Sequence, residues 1–149
     1  MRTTEAAATH FRFGHLTWQT EEGTQVQFVF QGAFRRNGYS GSGTDRFPVT
    51  GDVIQERIGG TRLCFGDGVC TGTLYFKVTA YDPVNNWIIG LGGMAAGEES
   101  ILHVYPSTGV YVPYSESCCR ISRILSPNAH INNPDEDYRI ETQVTLKTP

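Results

Sequence analysis

Thr24-Gln25-Val26-Gln27-Phe28-Val29-Phe30-Gln31-Gly32-Ala33-Phe34-Arg35 is the stretch that decides the fold. Val26, Phe28, Phe30 and Phe34 alternate with Gln25, Gln27, Val29 and Gln31, the two-residue period of a strand with one dry face and one wet face. Val26, Phe28 and Phe30 are expected to face the core. No segment of ten or more residues carries a helical stripe, so the neighbours of this strand must be strands too.

Outward from it, Phe11 to Trp18 is a first strand with a change of phase. Phe11 and Phe13 fall on one face but Leu16 and Trp18 on the other, which predicts a bulge or bend centred on Gly14. Downstream, Arg62 to Phe65 and Val69 to Tyr81 flank Gly66-Asp67-Gly68 as a hairpin, with Leu74, Phe76, Val78 and Ala80 on one face. Further strands are expected at Val49 to Ile58, Trp87 to Leu91, Ile101 to Tyr105, Val110 to Tyr114, Arg120 to Ile124 and Tyr138 to Leu146. Asn37 to Asp45 has turn chemistry and reads as a surface loop, either binding or merely flexible. Eight or nine short strands without interleaved helices predict an all-β, antiparallel two-sheet β-sandwich, jelly-roll or immunoglobulin-like.

At 149 residues the chain has the size of one domain. Residues 10–149 are assigned to a single sandwich and Met1 to Thr9 to a flexible or extended arm. A net charge of −3, with Lys and Arg scattered, provides no basic field and argues against nucleic acid. The longest greasy stretch, Trp87 to Met94, is short and broken by glycine, which argues against membrane insertion.

Four cysteines lean toward an oxidising compartment. Cys64 and Cys70 are symmetric about Asp67, which places them opposite one another in a tight hairpin, about 4.5 to 5.5 Å apart at Cα and within disulfide range. Cys118 and Cys119 are adjacent, and a vicinal bridge needs a distorted backbone. The alternatives are free thiols or bridges from this pair to Cys64 and Cys70; four cysteines allow three complete pairings. Neither spacing matches a structural zinc site.

Asn132, Asn133, Asp135 and Asp137, in a segment stiffened by Pro134, offer the clustered oxygens that Ca²⁺ requires, and Asp82 in Asp82-Pro83-Val84-Asn85-Asn86 is a fifth candidate ligand. The same residue types also build ordinary turns. Tyr105, Tyr111 and Tyr114 are the candidate ligand or interface residues, because tyrosine joins a large apolar face to a polar tip. No Gly-x-Ser-x-Gly elbow is present, and His10, His15, His103 and His130 are dispersed, so no set of catalytic residues can be named.

Two groups of residues carry a resemblance: His10-Phe11-Arg12-Phe13-Gly14-His15-Leu16-Thr17-Trp18 at the start, and Ser117-Cys118-Cys119-Arg120-Ile121, Asn132-Asn133 and Tyr138 to Leu146 at the end. The chain resembles extracellular β-sandwich modules of secreted and surface proteins, across about a third of its length. The resemblance implies a secreted or cell-surface location and an adhesive or structural role. The expected function is a noncatalytic adhesion or recognition module for a protein or glycan ligand, with calcium as its one expected cofactor. The alternative is a self-assembling filament or layer subunit whose Met1 to Thr9 arm adds a strand to a copy of itself. A small jelly-roll enzyme using His and Glu is the third reading.

Overall fold

The computed structural model describes residues 11–55, 60–117 and 138–148. Ten strands run through them, all paired antiparallel: β1 (Phe11–Thr20), β2 (Gln25–Arg35), β3 (Val53–Ile54), β4 (Tyr75–Asp82), β5 (Trp87–Gly93), β6 (Ile101–Val104), β7 (Gly109–Tyr111), β8 (Tyr114–Ser117), β9 (Tyr138–Glu141) and β10 (Val144–Leu146). The fold is an antiparallel β-sandwich. One layer is a six-stranded sheet in the order β1-β2-β5-β4-β3, with β6 also on β2. The opposing layer is built from the β8-β9 and β10-β7 ladders and the Leu63 to Thr71 hairpin, which joins through the Cys64–Tyr114 bridge.

Strand β2 is the centre of the first layer. It pairs along its length with β1, while its other edge is shared: Gln25 to Phe28 meet β6, and Gln31 to Arg35 meet β5. The alternation seen in the sequence is realised, with Val26, Phe28, Phe30 and Phe34 all buried against the second layer. Gly32 keeps the same face open where Phe34 lies over it, since a Cβ there would stand 2.8 Å from the Phe34 ring. From the other side the core is closed by Leu63, Phe65, Tyr105, Val144 and Leu146, and Phe28 meets Phe65 with ring centroids 5.7 Å apart.

Several strand boundaries differ from the sequence reading. The phase change in β1 is real, but the register shifts between Phe11 and Phe13, so the bulge sits at Arg12 and not at Gly14. Gly14 faces inward, where a Cβ would meet Ile140 Cδ1 at 2.5 Å. The expected strand from Val69 to Tyr81 is interrupted, because Thr71 turns back to donate its N–H to Leu63 O and its hydroxyl to Gly72 O; β4 starts afresh at Tyr75. Of the strand expected at Val49 to Ile58, Val53–Ile54 is formed and Val49 to Asp52 is not, because Asp52 uses its carboxylate to bind the preceding loop; residues 56–58 lie outside the described residues. The strands expected at Val110 to Tyr114 and Tyr138 to Leu146 each divide in two, at Pro113, which has no N–H to give the ladder, and at Thr142. Their register survives the break: Tyr111 faces Val144 and Tyr114 faces Glu141, three residues along each strand. The strand expected at Arg120 to Ile124 and the arm of residues 1–9 lie outside the described residues.

The Asn37 to Asp45 loop is organised by a buried cation. Arg36 is 4% exposed and donates Nε–H to Pro48 O at 2.7 Å and Nη2–H to Asp45 Oδ1 at 2.9 Å. Its guanidinium lies 5.0 Å from the Tyr81 ring centroid. Asp52 secures the far side, accepting from Ser42 N, Ser42 Oγ and Val49 N.

Candidate recognition surface

The three tyrosines of the sequence reading occupy different environments. Tyr105 is 1% exposed and is a core residue, not a surface platform; its hydroxyl donates to Phe65 O at 2.8 Å. Burial, followed by the nearby Asp67 and Tyr111, raises its pKa above the ordinary phenol value. Tyr111 is half-buried and stacks on Tyr105 with centroids 4.1 Å apart. Tyr114 is half-buried under the Arg139 guanidinium, which stands 4.1 Å from its ring and also bonds Glu116 and Glu141.

Tyr105 belongs to a pillar that joins the layers. Phe65 lies flat on His103, with centroids 3.7 Å apart and planes 2° from parallel, and Tyr105 meets His103 edge-on. His103 Nε2 is 2.7 Å from Asp67 Oδ2, and the Asp67 side chain is 5% exposed. Burial acts to raise the Asp67 pKa, but the His103 bond and the Val69 N–H outweigh it and hold the carboxyl below its usual range. Asp67 crowns the turn between Cys64 and Cys70, which are joined sulfur to sulfur with Cα atoms 3.9 Å apart, closer than the sequence geometry anticipated. Tight pairing between the two short strands accounts for the proximity: Phe65 N–H bonds Val69 O, and Thr71 N–H bonds Leu63 O. The hairpin is thus fastened covalently at its neck and by an acid–imidazole contact at its tip.

Of the proposed metal ligands, Asp82 accepts hydrogen bonds from Val84 N, Asn85 N and Asn85 Nδ2, the pattern of an aspartate closing its own turn. These bonds lower its pKa. Asn132, Asn133, Asp135 and Asp137 lie outside the described residues, as do Cys118 and Cys119. Among the described residues no group of three or more His, Cys, Asp or Glu is placed to hold a metal ion.

The broadest feature is the outer face of the six-stranded sheet. Phe13, Leu102 and Val104 are 55%, 47% and 63% exposed there, and Val29, Trp87, Ile89 and Leu91 are half-buried. Register makes one row of Phe13, Ala33 and Ile89, and sets Trp87 beside Arg35. Gln19, Gln27 and Ser100 form a polar ladder toward Leu102.

Two arginines stand at the Trp87 end of this face. Arg35 alternates with core-facing Phe34 and so points outward. Arg12, at the bulge, reaches to the start of β5 and donates Nη2–H to Asn86 O at 3.0 Å. Asn86 has φ +59 and is itself fixed: its carbonyl accepts from Arg36 N, and its Oδ1 from Asn37 N. The Nε atoms of Arg12 and Arg35 are both buried without a hydrogen-bond partner. Burial, and then the Arg35 charge, lowers the pKa of Arg12; burial lowers that of Arg35, against the opposing influence of Tyr39. No periodicity in the sequence points to this pair, because Arg12 sits at the bulge.

Comparison with known proteins brings these features into one family. The sequence profile of the family described as "Integrin beta-like protein A-E, N-terminal" matches residues 12–147. Integrin beta-like protein C of Dictyostelium discoideum is 32% identical over 145 residues, and integrin beta-like protein B of the same organism is 30% identical over 145 residues; each alignment covers 93% of this chain. The chain spans about 6% of the length of these relatives. No solved structure matches it. By the reach of the profile and the identity to both relatives, the chain belongs to the family of integrin beta-like protein N-terminal domains.

Proposed function

We propose that this domain is a noncatalytic recognition module of the cell surface, which contacts a protein partner as part of adhesion. Membership of the integrin beta-like family across residues 12–147 is the observation that carries the reading. The architecture supports it. A sandwich with its hairpin locked by a disulfide and its long loop held by Arg36 presents a rigid, broad sheet face, and rigid binding surfaces lose little entropy on association. The exposed Phe13 and the half-buried Trp87 and Ile89 provide apolar contact area on that face. Ordering of residues 132–137 by calcium and a glycan ligand are finer forms of the same proposal.

The test displays the purified chain on beads against protein and glycan arrays, with soluble chain as competitor, in calcium and in chelator. Saturable, competed binding to a protein is the expected result. Absence of saturable binding, together with concentration-dependent growth into large species in light scattering, would replace this reading with self-assembly at the surface.

A further inference from the structure

We infer that Arg12 and Arg35 form an oxyanion-binding site on the outer face of the six-stranded sheet, built to receive a single Asp or Glu carboxylate of a protein partner. Three observations lead to it. First, the two side chains converge: Arg35 points outward beside Trp87, while Arg12 crosses from the bulge in β1 to Asn86, the residue before Trp87. Like charges repel, so two guanidiniums are held side by side only where the fold constrains them or an anion joins them. Here the fold constrains them, through the bulge and through an Asn86 that is anchored to Arg36 and Asn37.

Second, among the described residues the pair has no acid of its own. The ion pairs among the described residues are Arg36–Asp45, Lys77–Glu99, His103–Asp67, Arg139–Glu116 and Arg139–Glu141. Arg36 and Arg139 therefore have carboxylates, whereas Arg12 and Arg35 do not. Third, most of their donors are unspent: Arg12 gives one Nη2–H to Asn86 O, and among the described residues the Arg35 side chain has no hydrogen-bond partner. A carboxylate meeting a guanidinium accepts from its terminal N–H groups, and one bridging two guanidiniums pairs with both and removes their repulsion.

The surroundings select the source of the anion. The chain carries a net charge of −3, so no long-range field gathers a polyanion such as a sulfated glycan. Beside the pair lie Trp87, Ile89 and Phe13, apolar surface of the kind that rims a buried ion pair in a protein interface. The oxyanion chemistry stands by itself; the protein source of the anion rests on the recognition reading above.

The experiment uses the full 149-residue chain, labelled with ¹⁵N, and follows the Arg Nε–Hε resonances at constant ionic strength. Three probes are titrated: a capped Gly-Glu-Gly peptide, its Gly-Gln-Gly counterpart and a sulfated disaccharide. The expected result is saturable movement of the Arg12 and Arg35 signals with the Glu peptide, a still Arg36 signal, and binding weaker by about tenfold with the Gln peptide. Arg35→Gln is expected to weaken the Glu peptide by about tenfold, and Arg35→Lys, which keeps the charge but loses the fork, by less. Should Arg35→Gln not fold, the wild-type titration and Arg35→Lys still decide. Absence of saturable movement, equal response to the Gln peptide, or unchanged binding in the folded Arg35→Gln variant would overturn the site. Tighter binding of the sulfated disaccharide would overturn the protein source. Failure here with intact binding on the beads would sink this site alone and leave the recognition module standing.

Discussion

Arg36 shows how much one side chain can organise. It is buried directly after a strand, and its bonds to Pro48 and Asp45 close a loop that composition alone leaves undecided between binding and flexible. Replacing it with Leu strands the carbonyl of the buried Pro48 and leaves the exposed Asp45 carboxylate to water. The expected cost is about 2 kcal/mol by urea denaturation, the scale of a hydrogen bond to a charged group. Nothing in Arg35-Arg36 distinguishes the buried residue from the outward one; only the strand parity of Phe34, carried one residue past the strand end, hints at it. Asp67 makes a second prediction. Its folded pKa is depressed, so its contribution to stability is fully present above the ordinary carboxylate range and is lost as pH falls through the lower folded value. Asp67→Asn should therefore lower the melting temperature at pH 7, and the gap to the wild type should close below about pH 4, which a series of thermal melts against pH would show.

Among the elements, β2 was readable in full because every second residue commits its face, and a one-residue slip would bury glutamines. The short strands were not, because their ends are set by groups outside the periodic pattern: the missing N–H of Pro113, the hydroxyl of Thr71, the carboxylate of Asp52. The candidate site was less legible still. Tyr105 has the composition of an interface residue, yet its hydroxyl is satisfied inside the core by a carbonyl 40 residues away in sequence. The Cys64 to Thr71 hairpin allows a direct test at this scale. The bridge spans only six residues, so it removes little freedom from the unfolded chain, and Cys64→Ser with Cys70→Ser should cost about 2 kcal/mol in urea and leave the chain folded. A variant that fails to fold would show the hairpin to be a prerequisite of the second layer.

For the molecule as a whole, most of the core is assembled by pairings between distant parts of the chain, which places the domain among slow-folding β-proteins; stopped-flow refolding is expected on the order of milliseconds to seconds. The shared edge of β2 gives that expectation a sharper form. Its half from Gln25 to Phe28 is completed only by β6, and the Gln27 to Ser100 bond beside that contact joins residues 73 positions apart. During synthesis at about 5 to 20 residues per second, the central strand of the first layer therefore waits roughly 4 to 15 s for this partner. In that interval β2 offers an unfinished edge to any other nascent chain, so the order in which the strands are made creates an opening for strand exchange between neighbours on one messenger.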